Sequence, residues 1–515
     1  MYTQKTISII LLIFGGDMEY LLGIDNGGTV TKAAIYDREG REIAISRVDT
    51  NVISEKAGFT EINMDDMKNS IFHVIKELIQ SSGIKSEEIV GIACCGHGKG
   101  LYLVDDEGKP VCNGILSTDN RAIDYVSSFE KNLDMDAIYA KTYQAVVPSQ
   151  PVCLLSWIKD NKPELVSKVK WVFACKDYIR FILTGLAYAE ISDYSGSNLV
   201  NLNTKSFDKE LLRDFGLEEF FPCLPPLKTA TDFCGGITKE VSELTLLKEG
   251  TPVFGGMFDI NACSIASGVV DQSAISMIAG TWSINTYLNK EPVKGHQVMM
   301  NSIFCDSEHY LVEESSATSA GNLAWYIKTF LPELKSQSAQ SIYVTTDEWV
   351  TEVIDEENYP YYFPFIMASN VNPKAKASLI GLTYYHNRKH ITKSIYEGVA
   401  FSHLYHYKKL IASRPTEFEA IKLSGGVANS DIWLSMFADV LGKDITVVDS
   451  RETGALGCAI TVAVALGKYG SYEEACSVMV KTKKVVKPNM DKHQLYAKRY
   501  AKYCQLLDAL DSVWE

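Results

Sequence analysis

Four features are scarce in this chain. No two of its 12 cysteines stand as CxxC, and no long basic run occurs. The N-terminal apolar run, Ile7–Phe14, is short, and no low-complexity stretch or long linker interrupts the chain. Each scarcity excludes something. At 515 residues the cysteine pattern rules out a small disulfide scaffold. Cys175 and Cys458 sit inside apolar stretches and read as reduced, buried thiols of a cytoplasmic protein. The formal charge, 50 − 64 = −14, argues against nucleic acid or an anionic membrane as partner. Ile7–Phe14 is too short to span a bilayer, and no small-residue cleavage site follows it. Residues 1–17 therefore read as an extra segment before a natural start at Met18.

What the chain does have is length and alternation. Single hydrophobic cores stop growing near about 250–300 residues, so two domains are expected. LLGID, the turn Asn26-Gly27-Gly28, TVTKAAIYD and then REIAISRV read as strand, turn, strand, strand. AISMIA, Gly280-Thr281 and WSINTYL repeat that plan in the second half. Helices are expected over Asp65–Ser81, Pro163–Lys168 and Thr392–Leu410. IVGIACC, GLYLVD and WVFACK read as strands. In Ser430–Leu441, Trp433, Met436, Phe437, Val440 and Leu441 fall on one helical face, with Asn429 or Ser430 as cap and Gly442 as terminator. ITVVD and the small-residue helix TGALGCAITVAVALG follow. Strand–helix alternation means α/β layers, and two matching hairpins point to a duplicated fold. The boundary is expected near Gly268–Ser273, giving lobes 18–268 and 269–515.

Four groups of residues carry candidate chemistry. Asp25, Gly27, Gly28, Thr29 and Lys32 form a turn whose amides can face phosphate oxygens, with Asp25 placed to hold Mg²⁺ through water. An ordinary Asn-Gly hairpin turn would look the same. Gly280 and Thr281 supply an opposed turn, and two such turns can grip one phosphate chain. Gly425, Gly426 and Asn429 in LSGGVANSDIW allow close approach of a flat ligand beside a helix N-terminus, or merely a tight strand–helix connection. Asp259 is the single acid in PVFGGMFDINACSIASG. It is either the cap of the next helix or a placed functional group.

Together these segments resemble the FGGY carbohydrate kinases. IDNGGTVTKAAIYD is similar to their first phosphate hairpin, GGMFD to the segment bearing their catalytic aspartate, and AGTWS to their second phosphate hairpin. LSGGVANSDIWLSMFADVLG resembles their C-terminal signature. KDYIRFILTG, GLTYYH and SIYEGVAFSH fit as well. The resemblance implies a duplicated actin-like (ribonuclease H-like) α/β fold, with two lobes around a central cleft. It also implies ATP and Mg²⁺, with Asp259 as the base that takes the proton of a sugar hydroxyl. GHGKGLYLVDDEGKP, ILSTDNRA, EESSATSAGNLAWY and YFPFIMASN resemble the branch acting on L-xylulose and 3-keto-L-gulonate. Where D-xylulose kinases carry Met-His, this chain has Gly98-Lys99, and His97 replaces an expected glutamine. Lys99, Asp119 and Arg121 are then expected on the sugar, with Asp259. D-xylulose, ribulose, erythritol or glycerol are alternative acceptors. An actin-like ATPase or a sugar-sensing pseudokinase is the alternative from another class. The pattern leaves room for a homodimer.

Overall fold

A computed structural model describes residues 19–514 apart from 337, 368, 370 and 373. The segment 1–17 and Met18 lie outside the described residues, as do positions 368 and 370 of YFPFIMASN. The first half is built on a seven-stranded sheet: β1 (Tyr20–Asn26), β2 (Val30–Tyr36), β3 (Glu42–Asp49), β4 (Ile89–Gly96), β5 (Phe233–Gly236), β6 (Pro252–Phe254) and β7 (Met257–Phe258). The order is β5-β6-β4-β1-β2-β3, and β7 also pairs with β4. The antiparallel meander β1–β3 is followed by parallel β4 and β6, with β5 antiparallel at the edge. Helices of this half include α1 (Met64–Ser82), α2 (Cys175–Thr184), the short α3 (Ile191–Tyr194) and α4 (Asp259–Ala266).

The second half repeats the scheme. Its sheet comprises β8 (Ala274–Ala279), β9 (Ser283–Asn289), β10 (Met300–Ile303), β11 (Tyr310–Ser316), β12 (Ala420–Ser424), β13 (Ile445–Val448) and β14 (Thr482–Val486). The order is β10-β11-β9-β8-β12-β13-β14. β8, β9 and β11 form the meander, β12 and β13 run parallel to β8, and β14 is antiparallel at the edge. β10 is an additional edge strand. Helices α5 (Gly321–Phe330), α6 (Arg388–Ala412), α7 (Asp431–Leu441) and α8 (Thr453–Ala465) complete what the site needs.

Local signals explain the boundaries. The Ser430 side chain accepts from the Trp433 amide to start α7, and Gly442, at φ 65°, ends it. α8, rich in small and apolar residues, belongs by sequence to the second half. It nevertheless packs beside β1 and α4, so Ala455, Leu456, Cys458 and Ile460 share a core with Leu21, Ala93 and Ile260.

Three expectations need correction. WVFACK is a strand only over Trp171–Phe173, because α2 begins at Cys175. Ile179 and Leu183, four residues apart, give α2 its buried apolar side, and Gly185 stops it in the left-handed conformation. GLYLVD is shortened to Tyr102–Val104, because Lys99 and Gly100 both take positive φ, 63° and 75°. Pro163–Lys168 is helical only over Pro163–Val166.

Candidate active site

The two glycine hairpins end in exposed tips. Thr29 and Thr281 are both exposed, with Gly27 beside the first. Gly28 takes φ 83°, and its amide donates to Asn26 Oδ1 at 3.3 Å. The Gly27 amide donates to the Val30 carbonyl, also at 3.3 Å, and that of Gly280 to Trp282 at 3.2 Å. These bonds sit at the long end of the normal range, so a charged acceptor can displace them. Asp25 closes β1. It packs so tightly on α8 that a Cβ at Gly454 would lie 2.5 Å from its Oδ2. The Cys95 thiol donates to its Oδ1 at 3.4 Å. Burial pushes the Asp25 carboxyl above the usual range, against the charge of Lys32.

Asp259 is the first residue of α4, and Phe258 occupies the cap position. Its carboxyl is pushed well above the ordinary value, by burial first and then by the charges of Asp25, Asp193 and Glu313. Three acids from three distant segments thus act on a fourth. The Phe258 amide donates to Ser192 Oγ at 3.1 Å, which ties the start of α4 to α3.

Phe258 also explains Gly98. A Cβ at that position would lie 2.3 Å from the Phe258 ring, so only glycine lets the chain cross it. Lys99 follows in the left-handed conformation and lines a recess with Pro151, Phe173, Asp193 and Ser197. His97 lies beneath, fully buried, with Nε2 2.8 Å from the Tyr102 hydroxyl. Burial pushes its pKa down to about 4, so it stays neutral.

Asp193 is a residue the sequence reading missed. It belongs to a buried cluster in which Lys176 Nζ lies 3.1 Å from Asp177, 3.3 Å from Glu190 and 3.5 Å from Asp193. Burial raises Asp193 to about 7, opposed by Lys176. The available signal was two acids, Glu190 and Asp193, inside the small-residue stretch AEISDYSGS. The same kind of signal singled out Asp259.

Asp119 and Arg121 form one unit. The Asp119 carboxylate accepts from the amides of Thr60 (2.7 Å) and Arg121 (2.9 Å) and from Arg121 Nε (2.9 Å) and Nη2 (2.8 Å). A carboxylate offers about four lone-pair sites, so these oxygens are already taken. Arg121 also pairs with Glu61 at 2.7 Å and lies 4.1 Å above the Phe59 ring. Asp119, expected on the sugar, thus holds Arg121 through both of its oxygens. Lys32, expected on phosphate, pairs with Glu452 at 2.7 Å and stands 3.9 Å from Asp25.

On the other side, Gly425 takes φ 92°, and a Cβ there would lie 2.7 Å from the Ala279 carbonyl. The close approach that glycine permits is therefore to the second hairpin. Gly425, Gly426 and Asn429 all remain exposed beside it. The structure brings Asp25 close to Asp259 and to Lys32, Lys99 close to Asp193, and Gly425 close to Gly280.

Comparison with known proteins shows the family and the fold. The model of the FGGY family of carbohydrate kinases, N-terminal domain, matches residues 20–266, and that of the C-terminal domain matches 275–466. The chain is 34% identical over 494 residues to the L-xylulose/3-keto-L-gulonate kinase of Escherichia coli, covering 96% of this chain and 97% of that one. It is 32% identical to a probable L-xylulose kinase of Pasteurella multocida, covering 96% and 100%. Among solved structures, ligand-bound xylulose kinase from Lactobacillus acidophilus superposes with a TM-score of 0.87 at 22% identity, over 96% of this chain and 99% of that one. The duplicated α/β fold is thus the actin-like one.

Proposed function

The chain belongs to the FGGY family of carbohydrate kinases, and from that premise we propose its donor, its acceptor and the residues that act on them. The enzyme is a phosphotransferase with an alcohol group as acceptor. The donor is ATP. The acceptor is the terminal hydroxyl of a ketose, L-xylulose first and 3-keto-L-gulonate second. Kinship with L-xylulose kinases supports that choice, as does the Gly98-Lys99 pair. The division into an N-terminal lobe, 18–268, and a C-terminal lobe, 269–515, is supported by the two matched segments. ATP as donor implies a cytoplasmic enzyme.

The observation that carries the mechanism is the place of Asp259 at the start of α4, where burial and the charge of Asp25 raise its proton affinity. Asp259 takes the proton of the terminal hydroxyl as that oxygen bonds to the γ-phosphorus. The bond from phosphorus to the β,γ-bridging oxygen breaks, and ADP leaves. Thr29, Thr281 and the turn amides of Gly27, Gly28 and Gly280 face the phosphate chain and hold its charge. Lys32 adds a cation at the first hairpin. Gly425, Gly426 and Asn429 line the adenosine side. Lys99 and Arg121 face the sugar, and Asp119 fixes Arg121.

Mg²⁺ would be held by Asp25, mostly through water, and when bound it neutralises phosphate charge. Among the described residues no group of three or more His, Cys, Asp or Glu is arranged to hold a metal ion. One carboxylate without a protein cage suits an ion carried in by phosphates.

The test is a coupled ADP-release assay over L-xylulose, D-xylulose, 3-keto-L-gulonate, L-ribulose and glycerol. Highest kcat/KM is expected for L-xylulose. ATP turnover indifferent to every sugar would overturn the reading.

A further inference from the structure

The second hairpin is braced from behind by a residue 120 positions away in sequence. His403, on α6, is fully buried. Its Nε2 lies 2.9 Å from Ser319 Oγ, and its Nδ1 lies 3.0 Å from Asn285 Oδ1 and 3.2 Å from Ser283 Oγ. Ser283 and Asn285 belong to β9, the returning strand of the hairpin. Ser319 lies in the turn between β11 and α5, and its amide donates to the Thr281 carbonyl at 3.0 Å.

The direction of each bond follows from the donor inventory. The Asn285 amide nitrogen donates to Ser283 Oγ and to the Glu314 carbonyl, both at 3.2 Å. Its oxygen therefore faces His403, and Nδ1 must carry the proton. Nε2 then accepts from the Ser319 hydroxyl. One ring thus closes a circuit: Thr281, Ser319, His403, Asn285 and back along β9 to the tip. The far side of the Ser319 turn is held separately. Asn322 donates to the Ser319 carbonyl at 2.8 Å and accepts from the Tyr362 hydroxyl at 2.8 Å.

We propose that His403 is the positioning residue of the second phosphate hairpin, fixing Thr281 through Ser319 and β9 through Asn285. The inference rests on reading Gly280-Thr281 as phosphate-binding. It adds that the nucleotide grip is set from the interior of the C-terminal half. Burial, with the neighbouring His406, holds the imidazole down to about pKa 3, so the circuit keeps one protonation state across the working range. Preorganised donors need such support, because a turn that shifts loses its hold on the transferring group.

The experiment compares His403→Leu, His403→Gln, Ser319→Ala and Thr281→Asp in the full chain, with KM for ATP, KM for the sugar, kcat and melting curves. His403→Leu is expected to raise KM for ATP roughly tenfold, the effect of a lost buried hydrogen bond whose partners stay unpaired. KM for the sugar stays within about twofold. His403→Gln keeps a donor and an acceptor and restores most of the loss. Ser319→Ala deletes one hydroxyl and raises KM for ATP in the same direction, so it carries the test if His403→Leu fails to melt cooperatively. If both KM values rise together, His403 merely holds the fold and the inference is overturned. If Thr281→Asp weakens ATP while the folded His403 and Ser319 variants do not, the inference alone fails. If Thr281→Asp also leaves ATP unaffected, the hairpin is not the phosphate site and both readings fall.

Discussion

Lys32, on the second strand of the first hairpin, lies 2.7 Å from Glu452, the cap residue of α8 in the other half of the chain. The Tyr36 hydroxyl donates to the Glu452 carbonyl at 3.2 Å, so the same residue is held twice. The Lys32 pKa is raised: burial works against its charge, but Asp25 and Glu452 outweigh it. The pair joins the two halves of the chain at the edge of the proposed phosphate site.

Glu452→Gln is expected to lower stability by about 1–2 kcal/mol, between the values for exposed and buried pairs. It leaves Lys32 facing Asp25 alone. Urea unfolding checks this. An unchanged midpoint would mean that the two halves are held by apolar packing of α8 and that the ion pair adds nothing.

Asp259→Asn should cost about 10²–10⁴ in kcat while sugar and ATP still bind. The wild-type acid limb should lie above the ordinary carboxylate value of about 4, because the base works only when deprotonated and its pKa is raised. Stability moves the other way. A carboxyl whose folded pKa exceeds its unfolded one destabilises the fold increasingly as pH rises above the unfolded value. The variant should therefore melt higher than wild type at pH 8 and equally near pH 4. A tenth of wild-type kcat surviving in Asp259→Asn would remove the residue from the mechanism.

Lys99→Met should reduce kcat/KM for the preferred sugar far more than it changes KM for ATP, since Lys99 lines the recess with Asp193. The loss should be larger for 3-keto-L-gulonate than for L-xylulose, because a charge-assisted bond disappears. Steady-state kinetics across the sugar panel decides it. A wild-type preference for glycerol or D-xylulose would place the acceptor elsewhere in the family.

The two glycines of LSGG should behave differently. Gly425→Ala meets both a positive φ and the Ala279 carbonyl, so the second hairpin must shift and ATP binding must weaken. Gly426→Ala has its nearest neighbour at 3.9 Å and should be tolerated. Equal KM for ATP in the two variants would contradict the geometry around the second hairpin.

Much was legible in the chain order itself. Alternating apolar runs and glycine turns marked both hairpins, because a strand's period and a turn's backbone needs are met by adjacent residues. The spacing from Trp433 to Leu441, with Ser430 before and Gly442 after, marked α7 for the same reason. Asp259 stood out as a lone acid among small residues. The fate of each candidate depended on residues far away. Asp119 and its neighbour Arg121 could be named, but not the Thr60 amide that folding brings onto the carboxylate. Lys32 could be placed near a phosphate turn but not opposite Glu452. Asp193 of α3 and Glu313 of β11 bring their charges to bear on Asp259 only in the folded chain. His403 looked like any helical histidine until α6 lay behind β9. Local pattern is written in neighbouring residues, so the sequence alone determined the elements and the candidate groups. Proton affinity, pairing and reach depend on burial and on charges contributed by distant segments, and only the tertiary structure decided those.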